Sequence, residues 1–308
     1  MTDNSANNKR IAINTILLYI RMLFTMVISL YTSRVILQVL GADDFGIYNV
    51  VGGVVVLFSF LTNAMTSSTQ RFLNYNFGLK NESKVSHIFN VSILTHFTIF
   101  LLVLLLSETV GLWFVMTQLN IPVGRETATM WVYQMSVVTT LIGIMVIPYR
   151  ASIIAAERMS IFAYVSILEV ALKLVVVLVL SYMSFDNLVM YSILLTLVAM
   201  LNFFIYQIEC RRKLSFTKYH FVWDKSQYKE MMSFSSWYLF GGVAMVGAKQ
   251  GINILINIFY NVAVNAAVGV ANQVRNAVFG FITSFQTAFN PQIVKLYAAK
   301  DTEQLLAL

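Results

Sequence analysis

The sequence predicts an all-α integral membrane protein: a polytopic helical bundle of two-lobed transporter type, with the second lobe incomplete. Three observations predict it. The 308 residues are 58% hydrophobic and only 11% charged, where a soluble domain carries about 25% charged residues. The apolar residues gather into eight runs, each long enough for a helix to cross a hydrocarbon core that needs roughly 20 residues. Lysine and arginine collect in alternate connections between those runs. The runs are 11–40, 45–66, 86–107, 128–149, 160–182, 188–208, 232–258 and 263–289. None shows the two-residue alternation of a barrel strand, so helices are the spanning elements.

The first run is unusual because it contains two guanidinium groups, Arg21 and Arg34. Arginine at membrane depth costs at least ~2.5 kcal/mol on insertion scales. At 100° per residue, Asn14, Arg21, Thr25 and Thr32 fall within about 40° of one another, and Arg34 lies nearly opposite. Arg21 therefore belongs to a polar stripe that faces a wet interior or a neighbouring helix. Arg34, near an end, snorkels or pairs.

The second run follows a short connection, Gly41–Asp44, and carries its own stripe of Asn49, Gly53, Asn63, Ser67 and Gln70. After the third run, Glu108–Ile121 is amphipathic and predicts a segment lying along the outer interface. Pro148 is expected to end or kink the fourth run. In the fifth, Glu169 and Lys173 are four residues apart, in the favourable order for an intrahelical ion pair. That pair either makes the helix insertable or exchanges with a proton or cation. The longest basic connection, 209–231, reads as a linker next to the membrane with possible contact to anionic lipid.

Of the 21 basic residues, fifteen (Lys9, Arg10, Arg71, Lys80, Lys84, Arg150, Arg158, the six from Arg211 to Lys229, Lys295 and Lys300) lie in one set of connections. The alternate set holds Arg125 alone, beside Asp43, Asp44, Glu108, Glu126 and Asp186. The positive-inside rule then puts the N-terminus and the basic connections in the cytoplasm. The net charge of +7 thus reports topology, not nucleic acid. No cleavable signal peptide is expected, because the first run is too long for one.

The seventh and eighth runs resemble the first and second. At an offset of 223 residues, Gly46, Asn49 and Phe58 match Gly269, Asn272 and Phe281. Asn265, Asn272, Asn276, Thr283, Thr287 and Asn290 share one roughly 60° face of the eighth helix. A parallel repeat of this kind divides the chain into a six-helix lobe (1–208), a basic linker (209–231) and the first two helices of a second lobe (232–308). Twelve or more spans are then expected of the complete protein. Gly241, Gly242, Gly247 and Gly251 allow close helix contact or bending in the seventh run.

Lys249 shares a stripe with Asn253 and Asn257, and Arg275 borders the amide stripe of the eighth helix. Arg21, Lys249 and Arg275 outnumber the one intramembrane carboxylate, Glu169. That excess implies an anionic partner: a substrate phosphate, a lipid headgroup or an acidic residue elsewhere. Arginine suits phosphate because its planar fork binds bidentately. Cys210 is the single cysteine, which excludes an intramolecular disulfide and a cysteine-built metal site. His87, His96 and His220 have no ligand spacing. No Walker, HExxH, GxSxG or DFG motif is present, so neither an enzyme nor a cofactor is expected.

The stretches Thr32–Phe60 (TSRVILQVLGADDFGIYNVVGGVVVLFSF), Ser67–Phe72 (SSTQRF), Ile147–Arg158 (IPYRASIIAAER) and Asn290–Lys300 (NPQIVKLYAAK) resemble a bacterial polysaccharide-repeat-unit flippase. Such O-antigen or capsule flippases belong to the multidrug/oligosaccharidyl-lipid/polysaccharide exporter superfamily. The resemblance implies a two-lobed bundle whose cationic cavity receives an undecaprenyl-pyrophosphate-linked oligosaccharide. It also implies flipping from the cytoplasmic to the outer leaflet of the inner membrane by alternating access coupled to a proton or sodium ion. The candidate ligands for phosphate or glycan are Arg21, Lys249, Arg275, Asn272 and Asn276, with Glu169 and Lys173 as a coupling pair. The alternatives are a same-superfamily exporter of drugs or other lipid intermediates, and a non-transporting scaffold for polysaccharide assembly.

Overall fold

The first apolar run forms the outgoing half of α1 (Thr2–Val56), and the chain turns back within α1 at Gly41 (φ 76, ψ 173). Only glycine enters that backbone region without a Cβ penalty. The reversal is visible in the packing. Leu18 clusters with Ile154 and Met159, whereas Ile36, Leu40, Ile47 and Val51 join Val137 and Leu188 in a different cluster. Leu73 of α2 (Ser59–Gly78) is back at the first end, beside Ile153. The expected Gly41–Asp44 connection is thus a sharp turn at one glycine. This computed structural model describes residues 2–56, 59–119, 121–234, 236–237, 241 and 262–307.

The helix α3 (Glu82–Leu106) is capped by Asn81, whose side chain accepts from the Lys84 amide at 3.0 Å. A capping contact of this kind satisfies an amide left without a partner at the helix start. The expectation of a separate interfacial segment after α3 is corrected. A π-helical turn, Ser107–Gly111, carries the helix straight into α4 (Leu112–Thr117). The wide turn leaves the Ser107 carbonyl open to the Tyr133 hydroxyl, which donates to it at 2.6 Å. Gly111 is required there, because a Cβ would collide with that hydroxyl oxygen.

The central element is α5 (Glu126–Ala155), with 61% of its apolar window buried against 11% for the outgoing half of α1. Pro148 neither ends nor breaks it, which corrects the predicted boundary. Ile147 and Tyr149, at 1% and 5% exposure, clamp the helix on both sides of the proline. Proline removes one helical hydrogen bond, and the helix nevertheless continues to Ala155. Two further helices follow, α6 (Met159–Leu180) and α7 (Asn187–Lys213). Asp186 caps α7 by accepting from the amides of Leu188 and Val189 at 3.0 and 3.1 Å. Arg211, Arg212 and Lys213 fill its last turn, where cations suit the helix dipole.

The 209–231 stretch is not a free linker. After α7 it makes a 3-10 turn (Ser215–Thr217) whose Phe216 packs against Phe77 and Phe89, then runs extended to α8 (225–234). Tyr228 on α8 donates to Thr98 at 3.1 Å. The long α9 (Val262–Ala298) and short α10 (Thr302–Ala307) follow. Helix α9 lies against α1 and α2. Among the described residues, five helices are long and apolar enough to span a membrane: Ala12–Gly41, Glu82–Thr117, Glu126–Ala155, Met159–Leu180 and Asn187–Lys213. Of the other predicted spans, 263–289 falls within α9, 45–66 crosses residues 57–58, and most of 232–258 lies outside the described residues.

At the end of the bundle where α1 turns at Gly41, Arg125 ties three elements together. Its Nε donates to Asp44 at 2.9 Å and its other nitrogens reach both Asp44 and Asp186, at 2.5 Å for Asp186. Burial pushes the Asp186 carboxyl up. The Arg125 hydrogen bond and charge, with the Val189 and Leu188 amides, outweigh it and hold the carboxyl below the usual carboxylate range.

Candidate functional site

The stripe predicted on α1 faces the bundle. Asn14 is buried, and Arg21, Thr25 and Thr32 are half-buried, while Leu23, Phe24, Val27 and Leu30 on the other sides are exposed. Thr25 and Thr32 return their hydroxyls to the Met22 and Ile28 carbonyls at 3.0 and 2.7 Å. Arg34 is exposed, as expected for the opposite side.

The Arg21 guanidinium lies over the Phe162 ring, 4.6 Å from its centroid. This cation–π contact leaves Nε buried and without a hydrogen-bond partner. Among the described residues Arg21 has no ion pair. Arg150, from α5, is close enough to act electrostatically on Arg21, on His96 and on Tyr206. His96 is fully buried, with Nδ1 2.7 Å from the Ser92 carbonyl and Nε2 unpartnered. The cationic character of this region therefore comes from two arginines. The sequence reading missed Arg150 because Pro148 had been taken to end the helix before it.

The Glu169–Lys173 pair forms as predicted, with Lys173 Nζ 2.6 Å from Glu169 Oε1. A third member, Asn202 on α7, donates to Glu169 Oε2 at 2.7 Å. The only available signal for it was an amide in an otherwise apolar run. Tyr206 is buried and lies within electrostatic reach of Glu169 as well as of Arg21. The two predicted groups thus flank one buried tyrosine.

Arg275 is exposed on α9. Met22 on α1 lies against Gly280, which puts Arg275 about 7.5 Å further along α9 toward its N-terminus at 1.5 Å per residue. Asn272 and Asn276 belong to the same helix, but their side chains lie outside the described residues. Lys249 lies outside them altogether.

Two other features were not predicted. A cavity of about 140 Å³ between α1, α5 and α7 is lined by Tyr48, Ser136, Thr139, Thr140 and Ser192. It has room for about four waters at ~30 Å³ each. At the end of the bundle away from the Gly41 turn, Glu157 in the α5–α6 turn takes Lys295 Nζ and Gln292 Nε2 from α9, each at 2.5 Å. Lys295 also sits 5.2 Å from the Phe77 ring centroid.

Solved structures share this arrangement of helices. A mutant of the Vibrio cholerae MATE transporter VcmN matches with a TM-score of 0.79 at 14% identity, covering 99% of this chain and 69% of its own. The fold is the MATE transporter fold. An outward-facing multidrug resistance MATE family transporter of the MOP superfamily gives 0.77 at 13% identity, over 96% of this chain and 66% of its own. A MOP superfamily transporter from Pyrococcus furiosus, described as having a binding pocket of reverse polarity that suggests a different function, gives 0.75 at 12% identity over 95% and 66%. This chain spans about two thirds of the length of these MATE-fold structures. No protein-family model and no curated protein sequence matches it.

Proposed function

We propose that this MATE-fold chain is the body of a multi-pass transporter in the bacterial cytoplasmic membrane, with its N-terminus in the cytoplasm. It moves a polyprenyl-pyrophosphate-linked oligosaccharide to the outer leaflet by alternating access. Residues 1–208 form one lobe and 232–308 begin the second. The observation that carries this reading is Arg21: it is on the bundle-facing stripe, its Nε is buried and unpartnered, and a second cation, Arg150, is close. A partly desolvated guanidinium without a carboxylate is stabilised when an anion joins it. Phosphate fits the planar fork of arginine best.

Arg275 and Lys249, with Asn272 and Asn276, continue the path for phosphate or glycan. Glu169 serves as the coupling group, releasing Lys173 and Asn202 when it takes a proton or sodium ion. Drug export, the activity named for one structural neighbour, is less well supported, because a cationic drug would meet Arg21 and Arg150 and a single intramembrane carboxylate, Glu169. The reverse polarity described for the Pyrococcus furiosus neighbour is in keeping with a change of substrate charge on this fold.

The test is complementation of a flippase-null strain by the complete protein carrying Arg21→Ala or Arg275→Ala. Both variants are expected at normal membrane abundance with surface polysaccharide reduced at least about tenfold, the effect of losing ~1.4 kcal/mol of phosphate binding. Full activity in both overturns the proposal.

A further inference from the structure

Residues 218–224 form an extended strap across the outside of α3. The backbone is extended at Lys218 (φ −69, ψ 122). Tyr219, Phe221 and Trp223 are 50%, 73% and 62% exposed. The segment is fastened to α3 through one backbone amide and one carboxylate. The His220 amide donates to buried Asn90 at 2.7 Å, and Asp224 Oδ2 lies 2.9 Å from His87 Nε2. The strap therefore crosses α3 between residues 87 and 90. At that level α3 passes from a charged start (Glu82, Lys84, His87) to the stretch Ile88–Ser107, which has no Asp, Glu, Lys or Arg. In a membrane-spanning helix this change marks the boundary between headgroups and acyl chains.

The surroundings are cationic. Arg211, Arg212, Lys218, Lys225 and Lys229 are all exposed. Of the nearby carboxylates, Asp224 meets His87, Glu209 meets Lys213 at 2.7 Å, and Glu230 accepts from Gln227 at 3.3 Å, so the five cations outnumber the one carboxylate not matched to a basic side chain.

We propose that the strap and its flanking cations form an interfacial anchor that binds anionic headgroups of the cytoplasmic leaflet. The three aromatic rings lie at the depth tryptophan and tyrosine prefer, and the cations gather acidic lipid around them. The anchor fixes the start of α8 against α3, so the connection leading into the residues beyond 231 is held at the membrane surface. The assignment is independent of what the protein transports.

The experiment uses the full chain with Trp113, Trp131 and Trp237 changed to Phe, leaving Trp223 as the single fluorophore. It is reconstituted in nanodiscs of phosphatidylcholine, with or without phosphatidylglycerol. Lipids brominated near the headgroup should quench Trp223 strongly, and aqueous iodide should quench it weakly. Phosphatidylglycerol should be enriched in the co-purified lipid, falling about fivefold for each exposed lysine neutralised in Lys218→Gln, Lys225→Gln and Lys229→Gln. These surface changes leave the thermal unfolding midpoint in phosphatidylcholine unchanged. Iodide access without bromolipid quenching overturns the proposal. Protection of Trp223 from both quenchers, the signature of a second copy or another protein on the strap, also overturns it. So does lipid enrichment that ignores the lysines.

Discussion

Replacing Glu157 with alanine tests how α9 is attached to the helices before it. The Glu157 side chain is 5% exposed and that of Lys295 is 20% exposed, with Nζ 2.5 Å from the carboxylate. Removing one member of such a pair strands the other charge, which costs about 3–5 kcal/mol when burial is complete. Lys295 keeps its contact with the Phe77 ring and some solvent, so the lower end applies, about 3 kcal/mol. Gln292 also loses its carboxylate acceptor, which adds roughly 1 kcal/mol. Glu157 sits at φ 58, and alanine has a Cβ as well, so backbone strain is retained and the variant isolates the charge. The expected loss is therefore about 4 kcal/mol, or close to three decades in the unfolding equilibrium. The assay is a double-mutant cycle of Glu157→Ala, Lys295→Ala and the double variant, by SDS-titration unfolding in detergent. The loss in the double variant should be smaller than the sum of the single losses by at least ~1.5 kcal/mol. Additivity within ~0.5 kcal/mol would refute the reasoning, because it would mean that the two side chains do not depend on each other.

At the Gly41 end of the bundle, Arg125→Ala leaves Asp44 and Asp186 without their shared cation. It should lower the unfolding midpoint, and Arg125→Lys should restore only part of it, since an ammonium lacks the fork that serves two carboxylates. Asp186 has a folded pKa below its unfolded value, so its contribution is complete above about pH 4, the ordinary aspartate range, and is lost as pH falls below that. A pH series of melting curves should show this acid loss in the parent and a smaller one in Asp186→Asn. Gly111→Ala should displace the Tyr133 hydroxyl from the Ser107 carbonyl. It should destabilise by about 1–3 kcal/mol, and Tyr133→Phe should make Gly111→Ala less costly; unchanged melting of the single variant would refute the steric account. Asn202→Leu should free one oxygen of Glu169 and reduce transport more than it reduces folding, as measured by transport rate at equal membrane abundance.

Hydropathy and periodicity are properties of neighbouring residues, and what depends on them was legible in the sequence. The apolar runs fixed the all-helical membrane character. The 100° step put Arg21 on the bundle-facing stripe and Arg34 away from it, and the four-residue spacing paired Glu169 with Lys173. Where the reading failed, a residue distant in sequence had decided the local outcome. Tyr133 donates to the π-helical turn at Ser107, α5 continues past Pro148 and puts Arg150 within electrostatic reach of Arg21, and α3 turns a basic linker into a strap. Glu157 and Lys295 are separated by most of the chain, and neither is marked by its neighbours as half of a buried pair. Such pairs exist only once the path of the chain brings two faces together, and that path is a property of the packed bundle, not of any one stretch.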